Sequence, residues 1–137
     1  MTKFESDVKT IDASQSAVYT MLSNPSNIER VRSLIPEDKV KNISYNEDSI
    51  SIEVEPIGKV TMQIVEREPE KLIKFEAQGA PLPVNLWIQI LPTGEKTSKL
   101  RVTLGLEVNT FMKAMIQKPA QEGVNKAAEM LSLIQYS

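Results

Sequence analysis

The sequence predicts an α+β fold, in which two short helices follow the first strand of an antiparallel sheet and one long helix follows the last strand. Three observations predict it. Apolar and polar residues alternate with the period of a strand at the N-terminus and again from residue 39 to residue 108. Residues 14–36 form two short segments with helix caps, and residues 110–135 repeat apolar side chains every three or four positions. A sheet with one apolar face must cover that face, and the long helix has the stripe to do so.

The first strand is predicted over residues 3–11. Phe4, Ser6 and Val8 fall on one face of this segment, and charged side chains fall on the other. Such alternation is typical of a strand with one buried face. We therefore expect Phe4, Ser6 and Val8 to face the interior.

Two short helices are predicted next. Ser14 is a suitable N-cap for the first, because its hydroxyl can accept a hydrogen bond from a free amide of the first turn. Pro25 ends that helix, since the residue before a proline is displaced from the helical region. Ser26 or Asn27 can cap the second helix, and Pro36 closes it.

About six further strands are predicted before the long helix. One segment, KVKNISYN, does not keep a single parity, so a β-bulge is expected there. The others alternate strictly and are separated by turn residues, which is typical of an antiparallel meander with one apolar and one solvated face. These regular segments are residues 50–54, 60–64, 73–77, 84–90 and 100–108.

The long helix is predicted over residues 110–135. Gly123 lies in its middle, where a glycine costs ~1 kcal/mol relative to alanine. We expect this glycine to allow close packing of the helix on the sheet, or close approach of a ligand. The apolar stripe of the helix consists of Met112, Ile116, Ala120, Gly123, Ala127, Leu131 and Ile134.

Composition excludes several classes of site. The length of 137 residues favours one domain over residues 1–137. The chain contains no cysteine and no histidine, which excludes disulfides, thiolate nucleophiles, Ser-His-Asp triads and Cys/His zinc sites. The net charge is -2 and the 16 Lys and Arg residues are scattered, so a nucleic-acid footprint is absent.

The same composition sets expectations for location and partners. An apolar run of about 18 residues, as a membrane span needs, does not occur. The polar N-terminus is unlike a signal peptide. The absence of cysteine fits a cytoplasmic location, which we therefore expect. We expect neither a cofactor nor a metal. A homodimer is compatible with the sequence, which contains no signal that decides it.

The order of elements resembles the helix-grip fold of the Bet v 1-like, START-related (SRPBCC) superfamily. The resemblance rests on the opening FESDVKTIDASQSAVYTMLSNPSNIERV and on the C-terminal helix with its proline. The opening is similar to bacterial polyketide cyclase/dehydrase-like and CoxG-like members. The resemblance implies a sheet of roughly seven strands curled around the C-terminal helix, often with an apolar or amphipathic ligand between them.

The sequence also departs from some members of that superfamily. The plant allergens carry a glycine-rich loop between early strands, whereas the matching turn here is NEDS, residues 46–49. The chain is much shorter than lipid-transfer START domains, which argues against a cavity for a two-chain lipid. Known members include aromatases and cyclases as well as carriers of lipids, steroids or quinones, so the resemblance implies more about fold than about activity.

The predicted ligand-binding residues lie on the inward faces of the strands and the long helix. Such walls suit an apolar ligand, which needs apolar walls and a few polar groups. The alternative is simple packing that leaves no space. Four hydroxyls, those of Ser6, Thr10, Tyr19 and Tyr45, could orient a ligand. The predicted site comprises Phe4, Ser6, Val8, Tyr45, Met62, Ile64, Phe75, Leu86, Ile88, Leu104, Met112, Ile116, Ala120 and Gly123.

Charged residues and the single tryptophan are expected outside this site. Glu53 and Glu55 lie opposite an apolar strand face, and residues 66–68 lie near a turn, so both groups should point to water. Parity assigns Trp87 to the outer face, where it could anchor a partner or simply cover a neighbouring side chain.

Three functions follow from this pattern. The first is non-catalytic binding of a small apolar or amphipathic molecule, lipid-, quinone- or polyketide-like, between the sheet and the C-terminal helix. The second is an enzyme of the polyketide cyclase or aromatase type, which needs a positioned acid or base. The third is a protein-interaction module that has a filled core and uses the outer face around Trp87.

Overall fold

One curved antiparallel sheet forms the main layer of the protein. The structure is a computed structural model, and it describes residues 1–30, 40–54, 58–79 and 82–136. Within these residues the sheet has eight strands in the order β1-β8-β7-β6-β5-β4-β3, and β2 also pairs with β8. The strands are β1 (Thr2–Glu5), β2 (Lys9–Ile11), β3 (Val40–Tyr45), β4 (Ser49–Val54), β5 (Gly58–Glu68), β6 (Leu72–Gln78), β7 (Val84–Pro92) and β8 (Ser98–Leu106).

The predicted first strand is divided into β1 and β2, which both pair with β8. Ser6 lies at the break: its amide donates to the Val102 carbonyl at 2.8 Å, and its hydroxyl accepts from the Val102 amide at 2.9 Å. A side-chain oxygen therefore replaces a backbone carbonyl in the ladder. The break shifts the alternation by one residue, so that Ile11 is buried while Val8 is 55% exposed and Thr10 is also exposed. The expectation that Val8 and Thr10 reach the interior is wrong for this reason.

Two short helices follow β2. Helix α1 (Gln15–Leu22) begins at the predicted N-cap, where the Ser14 hydroxyl accepts from the Ala17 amide at 3.1 Å. A 3-10 helix (Pro25–Arg30) comes next. The remainder of the second predicted helix, including Pro36, lies outside the described residues.

The C-terminal helix α2 (Thr110–Ser132) crosses one end of the sheet and contacts β1, β2 and β8. Val124 and Ala128, one turn apart, are its buried residues. Gly123 is exposed, and a Cβ placed there would meet no atom within 4 Å. The expected close approach at Gly123 is wrong, because the sheet-facing side of the helix passes through its neighbour Val124.

The core lies between the concave face of the sheet and the helices. Its members come from both ends of the chain, and α1 adds contacts to β6 and β7. No helix in the described part of the chain is long and apolar enough to cross a membrane. The buried apolar residues are Phe4, Ile11, Val18, Met21, Ile64, Ile73, Phe75, Ile88, Ile90, Leu100, Val102, Val124, Ala128, Ile134 and Tyr136.

Candidate ligand-binding cleft

An apolar cleft of about 190 Å³ opens on the concave face beside β4, β6 and β7. It lies between the inner face of the sheet, the α1–3-10 helix pair and the last turn of α2. The helix pair contributes Met21, Leu22, Asn24, Pro25, Asn27 and Ile28; the sheet contributes Ile50, Phe75 and Ile88; the C-terminal segment contributes Met130, Leu131 and Ile134.

Asparagine side chains shape the helix pair at the cleft. The Asn24 side-chain oxygen Oδ1 accepts hydrogen bonds from the Ser26 amide at 3.1 Å and the Ser26 hydroxyl at 2.8 Å, which turns the chain into the 3-10 helix. The Asn27 side-chain amide donates to the Met21 carbonyl at 2.9 Å. These bonds satisfy backbone groups at the α1 C-terminus and hold the 3-10 helix against it.

The lining of the cleft is electrically neutral. Among the described residues that line it, the only polar side chains are those of Asn24 and Asn27, and none is titratable. Tyr136 lies buried nearby, where its hydroxyl donates to the Leu131 carbonyl at 2.7 Å. Burial raises the pKa of the Tyr136 phenol above its ordinary value, so it stays protonated at neutral pH. The described walls can therefore contact an apolar ligand, but they offer no proton donor or acceptor that titrates near pH 7.

Of the predicted site residues, Phe75 and Ile88 line this cleft. Phe4 and Ile64 are buried in the core, and the half-buried Met62, Leu86, Leu104 and Ala120 pack against it. Met112 and Ile116 are half-buried on the N-terminal half of α2. The structure therefore places six of the fourteen predicted residues in or against the packed core and two around the cleft, and their role in ligand binding stays a prediction.

The remaining predicted residues do not face the cleft. Val8, Tyr45 and Gly123 are exposed, with Tyr45 at 40% where β3 ends. The Ser6 hydroxyl is used by the backbone of β8 and also donates to the Asp7 carbonyl at 2.9 Å. Tyr19 is half-buried and packs against the core without lining the cleft.

The helix pair supplies the cleft residues that the alternation pattern missed. Met21 and Leu22 have helical spacing within α1, and Ile28 follows in the 3-10 helix. Their spacing predicts a buried helix face but does not tell whether that face is filled or open. Leu131 and Ile134 belong to the predicted α2 stripe, so the C-terminal end of that stripe is the part that predicts cleft residues.

A bulge in β5 changes the direction of the last residues of that strand. Ile64 pairs with Phe75, but Glu66 pairs with Lys74, so Val65 is an extra residue in the ladder. An apolar Val65 directly after Ile64 breaks the alternation, and that break was the signal available in the sequence.

Beyond the bulge, Arg67 pairs with Ile73, which is fully buried on the inner face. Cross-strand partners point to the same side of a sheet, so the Arg67 side chain lies on the inner side, next to the C-terminus of α1. We expected residues 66–68 to point to water and the inner face to lack charge. All three residues are exposed, which agrees with the first expectation, whereas the charge of Arg67 on the inner side of the sheet contradicts the second.

Trp87 lies on the outer face of the sheet, as parity predicts, between Lys74 and Thr103 on the neighbouring strands. The Nζ atoms of Lys3 and Lys74 lie 4.9 and 5.4 Å from its ring centroid, which is cation–π distance. A Cβ at Gly105 would stand 2.8 Å from the ring, so this glycine gives the indole its space. Trp87 is thus half-buried between charged side chains rather than at the centre of an apolar patch.

Comparison with known proteins adds to this geometry. No protein-family model and no curated protein sequence matches the chain. Truncated norcoclaurine synthase from Thalictrum flavum superposes with a TM-score of 0.77 at 14% identity, over 96% of this chain and 91% of that chain. A START superfamily protein from Mycobacterium smegmatis gives a TM-score of 0.69 at 17% identity, over 95% and 94%. The chain has the Bet v 1-like, START-related fold.

The fold assignment confirms the predicted helix-grip architecture. One more strand is present than the roughly seven expected, because the first is divided at Ser6. Norcoclaurine synthase has also been solved in complex with dopamine and hydroxybenzaldehyde, with a TM-score of 0.74 and 15% identity over 96% of this chain and 84% of that one. At these identities the likeness concerns the fold alone.

Proposed function

We propose that this protein binds a small apolar molecule, or the apolar part of a larger amphipathic one, in the cleft beside the α1–3-10 helix pair, without catalysing a reaction on it. The observation that supports this is the lining: ten apolar residues and two asparagines among the described residues. Apolar walls with a few polar groups are typical of small-molecule sites.

The size of the cleft limits the ligand. Pockets for drug-sized ligands have volumes of roughly 300–1,000 Å³, whereas an apolar cavity of about 150 Å³ holds benzene. The volume of about 190 Å³ lies near the lower value. It favours a single ring, a fused pair of rings or a short chain. A lipid-, quinone- or polyketide-like molecule would place only part of its structure inside, with the rest in solvent.

The two asparagines give the cleft a polar side. Asn24 and Asn27 lie on the helix pair, opposite the wholly apolar sheet wall of Ile50, Phe75 and Ile88. A ligand with one hydroxyl or carbonyl group would therefore turn that group towards the helix pair and its apolar body towards the sheet.

An enzyme of the cyclase or aromatase type is the second candidate, and the fold shared with norcoclaurine synthase favours it. Chemistry of this kind needs an acid or base within hydrogen-bonding distance of the substrate. The described lining offers no titratable side chain. Binding without catalysis is therefore the better supported function.

An interaction module built around Trp87 is less well supported. That function needs a contiguous apolar patch on the outer face. Lys3 and Lys74 flank the indole instead. The open cleft also argues against a completely filled interior.

Methyl NMR provides a direct test, because isoleucines occur in both the cleft and the packed core. Ile28, Ile50, Ile88 and Ile134 line the cleft, while Ile73 is fully buried away from it. Titration with toluene and then naphthalene should shift the four cleft methyl signals and leave that of Ile73 in place. Absence of shifts at saturating probe, or shifts confined to other methyl groups, would contradict the proposal.

The enzyme candidate has its own test. The protein is incubated with dopamine and hydroxybenzaldehyde, the pair bound by the norcoclaurine synthase structure. We expect both compounds to be consumed no faster with the protein than in a protein-free control. Faster consumption with the protein than without it would favour an enzyme over a protein that binds its ligand without catalysis.

A further inference from the structure

Arg67 connects the two walls of the cleft. Its Nε and Nη2 atoms donate to the Ser23 carbonyl at 3.3 and 3.2 Å. Nη2 also donates to the Glu47 carbonyl at 3.0 Å, and Nη1 forms an ion pair with the Asp48 carboxylate at 2.9 Å. One guanidinium thus joins the C-cap of α1 to the turn between β3 and β4.

Both anchor points adjoin cleft residues. Ser23 lies between Leu22 and Asn24, which line the helix wall. Asp48 lies two residues before Ile50, which lines the sheet wall from β4. The Arg67 hydrogen bonds therefore link two segments that each carry residues of opposite cleft walls.

The other end of α1 is held independently. The Gln15 side-chain amide donates to the Ile90 carbonyl at 3.3 Å. The buried Ser98 hydroxyl donates to the Ala13 carbonyl at 2.9 Å, just before the helix. The N-terminus of α1 is thus held on β7 and β8 by contacts that do not involve Arg67, which binds the C-terminus of the helix.

The β3–β4 turn is a firm support for Arg67. The Asn46 side-chain oxygen accepts from the Asp48 amide at 2.9 Å, and the Asp48 carbonyl accepts from the Ile64 amide at 2.7 Å. The turn is thus closed locally and attached to β5. Because Arg67 binds both this turn and Ser23, it holds the C-terminus of α1 at a fixed place relative to the turn. Its positive charge is also favourable at the C-terminal end of a helix.

We propose that Arg67 is a positioning residue that fixes the width of the cleft and so selects ligands by size. The part concerning ligands rests on the proposed binding function. The planar guanidinium is suited to this role, because its donors reach two carbonyls and a carboxylate at once. A lysine at this position would present a single ammonium and could not span the same three acceptors.

Arg101 provides a matched control on the opposite face. It also forms an ion pair at 2.9 Å, with Glu5, and its side chain is 40% exposed compared with 35% for Arg67. It hydrogen-bonds to Gln89 on the outer face of the sheet. Replacing Arg101 with methionine removes an equivalent charge and ion pair without touching either wall of the cleft.

Spin labels can measure the width of the cleft in the absence of any ligand. The chain has no cysteine, so Thr20→Cys and Glu47→Cys, at two exposed positions, give one unique label pair across the mouth. We expect Arg67→Met to broaden the distance distribution and move it to longer distances, and Arg67→Lys to behave in the same way. Arg101→Met should give the same distribution of label distances as the labelled protein that keeps both arginines. An unchanged distribution in Arg67→Met, or complete rescue by lysine, would overturn the proposal.

Ligand selectivity provides the second measurement. The ratio of dissociation constants for naphthalene and toluene is compared between the parent protein, Arg67→Met and Arg101→Met. We expect this ratio to change at least about five-fold in Arg67→Met only, since a change in pocket size acts on differently sized ligands unequally. Equal changes for both probes would contradict a role in size selection. If neither probe binds the parent protein, the proposed function fails, while the label distances still decide whether Arg67 fixes the width.

Discussion

The concave face of the sheet has a packed end and an open end that are built from the same kinds of side chain. At the packed end, Leu100 and Val102 of β8 are almost fully buried, with Val124 and Ala128 of α2 covering that part of the sheet. At the open end, residues of β4, β6 and β7 face a cleft of about 190 Å³. Isoleucine and leucine occur at both ends.

The covering element accounts for the difference. Helix α2 packs the small side chains of Ala120, Ala127 and Ala128 into or against the core. At the other end the chain turns at Pro25 into a 3-10 helix of six residues, which covers less of the sheet than the 23 residues of α2 can. The identity of the apolar residues thus predicts that a surface is covered, but not that the space beneath the cover is filled.

A pair of leucine truncations tests this comparison with the largest expected effect. Leu100→Ala, at the packed end, should lower the free energy of unfolding by about 2–5 kcal/mol, because a cavity opens where the structure cannot relax. Leu131→Ala, beside the cleft, should cost about 1–2 kcal/mol, since part of its surface already lacks neighbours. Urea unfolding measures both, and equal losses would show that the two ends are packed alike.

Enlarging one isoleucine at each end sharpens the comparison. Ile90→Trp at the packed end should destabilise the protein by about 1–3 kcal/mol through overpacking. Ile50→Trp should change stability by less than about 1 kcal/mol, because the indole can occupy the cleft. The same variant should weaken naphthalene binding at least about ten-fold. Thermal unfolding and probe titration give these values, and a large loss of stability in Ile50→Trp would contradict an open cleft.

Tyr136 gives the smallest effect, at the C-terminal end of the cleft wall. Burial raises the pKa of its phenol, so the folded state keeps a proton that the unfolded state releases above about pH 10. Stability is therefore fully present below pH 10 and falls as the pH rises further, by at most about 1.4 kcal/mol per pH unit from this group. Urea unfolding between pH 9 and pH 11 should show a steeper loss than in Tyr136→Phe, and parallel slopes would contradict the assignment.

The sequence predicted the fold well because its signals are local and repeated. The alternation of residues 84–90 and 100–108 reappears in β7 and β8, and the Ser14 cap starts α1 as expected. The bulge expected in KVKNISYN is present as a register shift between Lys41 and Ser44.

The candidate site was predicted less well, because its position depends on interruptions of those patterns. Side-chain parity reverses at Ser6, where a hydroxyl enters the ladder, and again at Val65. Each reversal exchanges the faces of the residues that follow, which exposes Val8 and places the exposed Arg67 on the inner side of the sheet. Whether a covered surface encloses space also depends on how closely two distant segments approach, and apolar periodicity alone does not encode that distance.

The position of Trp87 has a practical consequence for optical work on this protein. The only indole of the chain lies on the convex side, in the space above Gly105 and beside two ammonium groups. Its emission therefore monitors the outer surface of β7 and β8, and occupation of the concave side should leave it unchanged. A fluorescence titration needs a probe that emits by itself, and the intrinsic signal then remains available as an internal standard for the integrity of the sheet.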